Sequence, residues 1–310
     1  MRIFIAGATG AVGQPLVRRL VAAGHDVTGM TRTERKAAVL RELGAEAVVA
    51  DALDRDAVMA AVRDAQPEVV VHQLTSIGAL NPRNPDATFA ATNRLRTAGT
   101  DILLEAARAA GARRFVAQSY AGWPYARDGG AAKSEDEPLD PDPPRGLRET
   151  LAAIRHVESA VTGADGIEGI VLRYGGFYGP GTGLARGGDQ YEVVRKRAFP
   201  LVGSAAGVWS LVQIEDAADA TVAAIERGAP GIYNVVDDEP APVREWLPVL
   251  AEAAGAKPPR HVPGFLGRLL LGPAGYSMMT SIRGASNAKA KRELGWTPRY
   301  PSWRQGFQAL

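Results

Sequence analysis

The 310-residue chain has no cysteine, which excludes disulfides, thiolate metal sites and a cysteine nucleophile together. Histidine is nearly as scarce: His25, His72, His156 and His261 are scattered without metal-ligand spacing, so no metal site is expected. A surplus of one charge is also missing. Lys+Arg number 36 and Asp+Glu 34, for a net charge of +2, which leaves no bulk field to hold a nucleic acid. No apolar run approaches the length that spans a bilayer, and the stretch from Phe265 to Leu271 is broken by Gly267 and Arg268. The first apolar run starts at Ile3, leaving no room for a signal peptide. These absences predict a cytoplasmic protein with no metal, membrane or nucleic-acid partner. The length allows one large domain, or one domain with a smaller annex.

What is present is organised by the first 13 residues. Ile3, Phe4 and Ile5 read as a strand buried on both faces, the kind found inside parallel sheets. Gly7, Gly10 and Gly13 follow at a spacing of three, and Leu16, Val17, Leu20 and Val21 read as the helix behind them. Strand, glycine turn and helix amino terminus make an anion site, where unpaired N–H groups and the helix dipole face a pyrophosphate. Pro15 fits the first helical turn. A bare turn would carry the same glycines, but the position directly after a buried strand favours the dinucleotide reading.

Residues 26–30 read as a second strand. A carboxylate at its end would meet the adenosine ribose hydroxyls and favour NAD. The chain offers Arg32 instead, with Arg35 or Lys36 as a second cation, so NADP(H) is expected over NAD(H). A solvated helix start is the alternative, and Glu34 is the dissenting residue. Residues 46–50 are a third strand, followed by Asp51, Ala52 and Leu53; Asp51 is placed to accept the adenine amino group, and Asp54 to cap the next helix. Residues 68–72 form a fourth strand leading to Gln73 and Leu74. A helix is expected over 86–110, then a fifth strand over 114–119 and a sixth over 167–172. Regular alternation with short links predicts an α/β, Rossmann-type doubly wound parallel sheet.

Taken in order, these motifs resemble an extended, atypical short-chain dehydrogenase/reductase of the NAD-dependent epimerase/dehydratase superfamily. The resemblance rests on Gly7-Ala-Thr-Gly-Ala-Val-Gly13, the Asp51 loop, Asn93 with Gly99-Thr100, and Arg173-Tyr-Gly-Gly-Phe-Tyr-Gly-Pro-Gly181. It continues through Val212-Gln-Ile-Glu-Asp216, Gly231-Ile-Tyr-Asn-Val235 and Ser286-Asn-Ala-Lys-Ala-Lys-Arg-Glu-Leu-Gly-Trp296, nearly the whole chain. It implies a dinucleotide-binding domain over 1–172, completed by about 208–238, and a smaller substrate-binding region from 173–207 and 239–310. It also implies cofactor contacts from Thr9, Ala11, Val12, Gln73, Leu74, Asn93, Gln118, Tyr174, Gly175, Gly176 and Phe177. A homodimer is left open.

The resemblance breaks at the chemistry. The family pairs a Tyr-x-x-x-Lys with a serine or threonine: the lysine lowers the tyrosine pKa and the tyrosine passes a proton while hydride moves. Here no Tyr-x-x-x-Lys occurs. With Glu158 as the reference, Thr150 occupies the tyrosine position and Ile154 the lysine position. The substitute is sought after the fifth strand, where Tyr120 is the expected proton donor, helped by Ser119 and Thr150. Packing aromatics in a pocket wall are the plainer alternative. Trp123, Tyr125, Phe177 and Tyr178 suit an apolar or ring-shaped substrate, and Arg173 suits an anionic group or a buried ion pair. Lys133 is expected in solvent, within a polar loop over 127–145 that reads as extended or mobile. Residues 258–281 are the least readable, with a mobile pocket cover as one reading.

The leading reading is an NAD(P)-dependent oxidoreductase acting on a carbonyl or alcohol of a small organic molecule. A nucleotide-sugar epimerase or dehydratase with retained NAD is the runner-up. A non-catalytic NADP-binding sensor or interaction protein is the third.

Overall fold

In the computed structural model, which describes residues 1–78 and 80–310, Ile3, Phe4 and Ile5 are fully buried in strand β1 (Arg2–Ala6). The run is apolar on both sides because helices cover both faces. Ile3 and Ile5 join one core cluster with Leu16, Val17 and Leu20, while Phe4 and Ala6 join another with Val58, Val62 and Phe115. Around β1 lie β2 (Asp26–Thr31), β3 (Glu46–Val49), β4 (Val69–His72), β5 (Arg114–Tyr120), β6 (Glu168–Tyr174) and β7 (Gly231–Val235). All pair in parallel, in the order β7-β6-β5-β4-β1-β2-β3. The Rossmann-type sheet expected from the strand–helix alternation is therefore present.

The chain runs outward from β1 to β3, then returns to β4 on the other side of β1. The direction reverses between β1 and β4, and in such sheets the crevice at the strand carboxyl ends is the ligand site. Helices α1 (Gly13–Ala22), α2 (Glu34–Glu42) and α3 (Arg55–Ala65) link the first four strands. The single helix expected over 86–110 is instead α4 (Pro85–Arg94) and α5 (Thr100–Ala109), joined by a π-helical turn over Leu95–Gly99. Side chains compete for the ladder there. His72 Nε2 donates to the Leu95 carbonyl at 3.2 Å, and Thr97 Oγ1 donates to the Asn93 carbonyl at 3.0 Å.

Helix α6 (Arg148–Thr162) precedes β6, followed by α7 (Asp189–Arg195) and α8 (Ile214–Arg227). Residues 211–213 pair in parallel with 176–178, and α8 and β7 bring the chain back to the main sheet. Helices α9 (Val243–Ala253), α10 (Gly264–Thr280), α11 (Ala288–Leu294) and α12 (Trp303–Gln308) follow. Tyr178, Val202, Trp246, Leu250, Trp303 and Phe307 build a separate core cluster there. Asp216, near the start of α8, clamps this part onto the sheet: its carboxylate accepts the N–H groups of Arg299 and Tyr300, each at 2.9 Å.

Two expectations need correction. Residues 264–280 form a helix kinked at Gly272, which has φ 67° just before Pro273. Its first part shows no buried apolar stripe, since Phe265 is 75% exposed and Leu269 is 72% exposed, and its buried apolar side chains, Ala274 and Met279, come after the kink. Lys133 is buried, since Ala132–Lys133 pairs with Gly284–Ala285 and its ammonium donates to Glu137 at 2.8 Å. Among the described residues no helix is long and apolar enough to cross a membrane.

Just past β7, Asp237 is buried, with Oδ2 enclosed and unpartnered. Burial pushes its carboxyl up to about 8, and the nearby charges of Glu239 and Asp238 act in the same direction. The folded chain thus holds this proton more tightly than the unfolded one, whose value is about 3.9. Between those values stability falls as pH rises. Asp237→Asn should raise the Tm at pH 8, with the gain vanishing near pH 4. Melts across that range would show the difference; a pH-independent offset would refute it.

Candidate functional site

The crevice is built from backbone at one end. Gly7 has φ +90°, and a Cβ there would lie 2.6 Å from the Gln73 carbonyl carbon, so strand ends β1 and β4 approach as closely as glycine permits. A Cβ on Gly13 would lie 2.3 Å from the Gly7 carbonyl oxygen, which lets α1 seat tightly behind the turn. Gly10 differs: its nearest neighbour to such a Cβ is the Gly7 oxygen at 3.2 Å. Its missing side chain therefore leaves the turn's outer surface open. Val12 is the N-cap of α1 and has no side-chain cap; the Gln14 and Leu16 N–H groups donate to the Gly10 and Val12 carbonyls, so among the described residues those of Val12 and Gly13 are left to face a pyrophosphate. Thr9 is held from behind, with Oγ1 3.4 Å from Thr31 Oγ1 and its carbonyl accepting from Gln14 Nε2 at 3.2 Å.

The adenosine end lies at β2 and β3. Arg32 and Arg35 are exposed at the carboxyl end of β2, and neither pairs with a carboxylate among the described residues. Glu34 is held by Arg41 at 2.5 Å. Asp51 is exposed and accepts the Leu53 N–H at 2.9 Å, beside buried Ala52; Asp54 caps α3 by accepting from Ala57 N at 3.1 Å. The donor set fits a dinucleotide.

Toward the nicotinamide end, several residues prove to be structural supports. Tyr174 is buried, its hydroxyl held by Gln73 Nε2 at 3.0 Å and Thr221 Oγ1 at 2.7 Å, and burial pushes its phenol up to about 12. The N–H groups of Gly175 and Gly176 donate to the carbonyls of Val235 at 3.1 Å and Ser210 at 2.8 Å. Phe177 packs on Tyr174 with ring centroids 5.3 Å apart. Gln118 Nε2 donates to the Leu74 carbonyl at 3.2 Å, tying β5 to the loop after β4.

The three residues expected to share the chemistry stand in three different settings. Ser119 is buried and donates to Glu158 Oε1 at 2.7 Å. Both Glu158 oxygens also accept from Arg173, at 2.7 Å each; Arg173 donates to Tyr125 Oη at 2.8 Å, and Tyr125 donates to Asn234 Oδ1 at 2.6 Å. Arg173 is therefore a buried ion-pair partner, and Ser119 and Tyr125 belong to its network. Thr150 is buried with Oγ1 donating to Asp86 at 2.7 Å and accepting from Asn93 Nδ2 at 3.1 Å. Asp86 also accepts the N–H groups of Glu149 and Thr150, which caps α6. Of the three, Tyr120 alone keeps a hydroxyl with no hydrogen bond to a described residue.

Tyr120 packs beside Trp123, Leu147, Leu151 and Ile154, and burial pushes its phenol up to about 12 while Arg96 pulls the other way. Ile154 thus contributes wall where the family carries an ammonium. Tyr178 lies elsewhere, edge-on to Phe307 at 5.3 Å in the C-terminal core. Sequence reasoning missed Arg96, a basic residue inside a stretch read as unbroken helix. Only the π-turn singles it out.

The motif order, sheet topology and glycine turn agree with a family match over residues 3–235 to the NAD dependent epimerase/dehydratase family. The chain belongs to that family. It is 48% identical over 308 residues to a Streptomyces protein named 3-diazoavenalumate denitrifying reductase, covering 99% of each chain. The fold is similar to UDP-glucose 4-epimerase of Thermus thermophilus in complex with NAD, with TM-score 0.74, 25% identity, and 99% and 97% of the chains covered. It is also similar to a human epimerase family protein with NADPH, with TM-score 0.76, 20% identity, and 100% and 98% covered. The chain is an oxidoreductase- or epimerase-type enzyme, and its cofactor is a nicotinamide dinucleotide.

Gly7→Ala should cost about 3 kcal/mol through backbone strain and the clash with Gln73. Gly10→Ala should keep the Tm within a few degrees yet weaken dinucleotide binding about tenfold or more, since its Cβ occupies the pyrophosphate approach. Thermal melts and fluorescence titration with NADPH separate the two; equal effects on both readouts would contradict the division.

Proposed function

We propose that this chain is an NADPH-dependent reductase of a small aromatic compound, and that the reducible group is an aryl diazonium. The observation carrying the proposal is the wall at the usual relay: Thr150 is spent on Asp86 and Asn93, and Ile154 is fully buried among apolar side chains. A reaction forming an alkoxide needs a proton donor there. A reaction that expels a neutral gas does not. Bound in the crevice, the reduced dinucleotide supplies a hydride. At the diazonium-bearing carbon a C–H bond forms as the C–N bond breaks, and the C–N electron pair leaves with dinitrogen. The arene is reduced by two electrons, and no proton from the protein is required. The 48% relative, named for a diazo substrate, supports this choice.

The chain's own residues hold and shield the reactants. Trp123, Leu147, Leu151 and Ile154 pack as a buried apolar cluster beside Tyr120, and an aromatic ring set against that cluster would be shielded from water, which competes for a diazonium carbon. Arg32 and Arg35, free of carboxylates, favour NADP(H) through charge-assisted contacts to a 2′-phosphate. Residues 1–172 with about 208–238 serve the cofactor and also supply Trp123, Leu147, Leu151 and Ile154 to the substrate side, while 173–207 with 239–310 serve the substrate, Ala274 and Ile282 joining that cluster.

A second reading has its own observation. The unpaired Tyr120 hydroxyl at the end of β5 suits proton donation to a carbonyl oxygen, with Ser119 and Thr150 acting behind it through position alone. A nucleotide-sugar epimerase would lean harder on the missing phenol–ammonium pair and is disfavoured.

NADPH should bind at least tenfold more tightly than NADH, and Arg32→Ala should erase most of that preference, because a charge-assisted contact contributes about 1.5–3 kcal/mol. Titration of both cofactors checks this, and an NADH preference untouched by Arg32→Ala would sink it. With NADPH and 4-carboxybenzenediazonium, the protein should release dinitrogen and benzoate above the protein-free rate, and Tyr120→Phe should keep turnover within about threefold. Turnover restricted to aryl ketones, with a loss of about a hundredfold or more in Tyr120→Phe, would establish the carbonyl reading instead.

A further inference from the structure

Three arginines are buried, and two are accounted for. Arg114 meets Glu168 and the carbonyls of Ala224 and Ile225; Arg173 meets Glu158 and Tyr125. Arg96 has no such partner among the described residues. It is 6% exposed, its Nε is enclosed without a partner, and no described residue gives its guanidinium a hydrogen bond or a paired carboxylate. The nearby acid, Glu158, is already taken through both oxygens by Arg173, and through one by Ser119. Burial pulls Arg96 down to about 10. An unpaired buried charge costs several kcal/mol, and a well-packed apolar side chain would serve the fold better.

The position is as unusual as the burial. Arg96 sits in the π-turn, a form that recurs at functional sites. The turn is anchored to the end of β4 by the bond from His72 to the Leu95 carbonyl, and it packs on α6. Leu74 N–H donates to His72 Nδ1 at 3.2 Å, so the ring proton lies on Nε2 and His72 is the neutral tautomer. Burial pulls His72 down to about 4, so no second cation shares the place. The other group there without a hydrogen bond among the described residues is the Tyr120 hydroxyl: β5, which ends at Tyr120, packs on the same helix α6 as the π-turn, and the guanidinium acts on the phenol through space. With burial pushing it up to about 12, the phenol keeps its proton and donates. The apolar cluster of Trp123, Leu147, Leu151 and Ile154 packs against Tyr120, and Leu151 and Ile154 belong to the helix α6 on which the π-turn packs.

Resting on the reductase reading above, we propose that Arg96 and Tyr120 form a receptor for an oxyanion carried by the aromatic substrate, with the ring against the Trp123 cluster and a phenolate oxygen between guanidinium and phenol. One charged and one neutral donor replace the absent tyrosine–lysine pair, with a changed role. They recognise an anion already present on the substrate and orient the ring; neither delivers a proton. The charge left unpaired in the free protein is then paired in the complex, which explains why the fold tolerates it.

The test uses 4-nitrophenol, whose phenolate is yellow and whose neutral form is not, added to the full chain saturated with NADP at a pH below the phenol's own pKa. No hydride moves in this experiment, so it stands or falls separately from the diazonium assay. The wild type should bind the probe as the yellow phenolate. Arg96→Met should lose the colour and weaken binding at least tenfold while binding NADPH normally; Tyr120→Phe should lose part of it. Should Arg96→Met fail to fold, Arg96→Lys decides: a retained yellow complex supports the receptor, and a colourless one overturns it. A wild type that binds no phenolate, or an Arg96→Met that remains yellow, also overturns it.

Discussion

A buried bidentate ion pair between Glu158 and Arg173 holds the substrate side of this enzyme in place. It joins helix α6 to strand β6, takes in Ser119 from β5, and reaches β7 through Tyr125 and Asn234. Such a pair adds little net stability over an apolar replacement, because desolvating two charges offsets their attraction. Breaking it is another matter, since the remaining charge has no water to turn to. The constraint is therefore one of position. It seats α6 so that Leu147, Leu151 and Ile154 form a wall beside Tyr120 and Trp123, where a proton relay stands in relatives.

The two ends of the crevice follow different physics. The dinucleotide end is made of backbone: glycines bring two strand ends into contact, and a helix start with no side-chain cap offers the N–H groups of Val12 and Gly13. Backbone recognition depends on close approach and is lost if a single Cβ intrudes, so it changes little while the chemistry beside it changes. The substrate end is made of side chains held by other side chains. There Thr150 and Ile154 stand where the resemblance implies a phenol and an ammonium, Ile154 in an apolar cluster that packs on Tyr120, and neither Tyr120 nor Arg96 has a side-chain hydrogen bond among the described residues. A reduction whose leaving group departs as a neutral gas suits such a site better than one that makes an alkoxide.

Legibility in the sequence tracked this division. The doubly wound sheet could be read from Ile3 to Ile5, the glycine spacing and the later strands, because period and turn chemistry are local. The α10 helix could not, since Phe265, Leu266, Leu269 and Leu270 before its kink face outward and mimic no buried stripe. Lys133 misled for the opposite reason: a polar, Gly- and Pro-rich neighbourhood reads as solvent, yet a two-residue strand pairing with Gly284–Ala285 buries it. Arg173, Tyr125 and Tyr178 carried the right chemistry for a pocket, and each is engaged or enclosed elsewhere.

By itself the sequence determined that this chain makes a parallel sheet with a dinucleotide turn, that cations stand at the end of its second strand, and that the usual tyrosine–lysine pair is absent. Each rests on residue type and spacing within one element. Tertiary structure alone decided which of the remaining polar groups are free. Ser119, Thr150 and Arg173 differ from Tyr120 and Arg96 only in what lies opposite them, and those partners come from distant parts of the chain. A hydrogen bond between residues 39 or 64 positions apart leaves no trace in local pattern, yet it decides whether a hydroxyl holds the fold or meets a substrate.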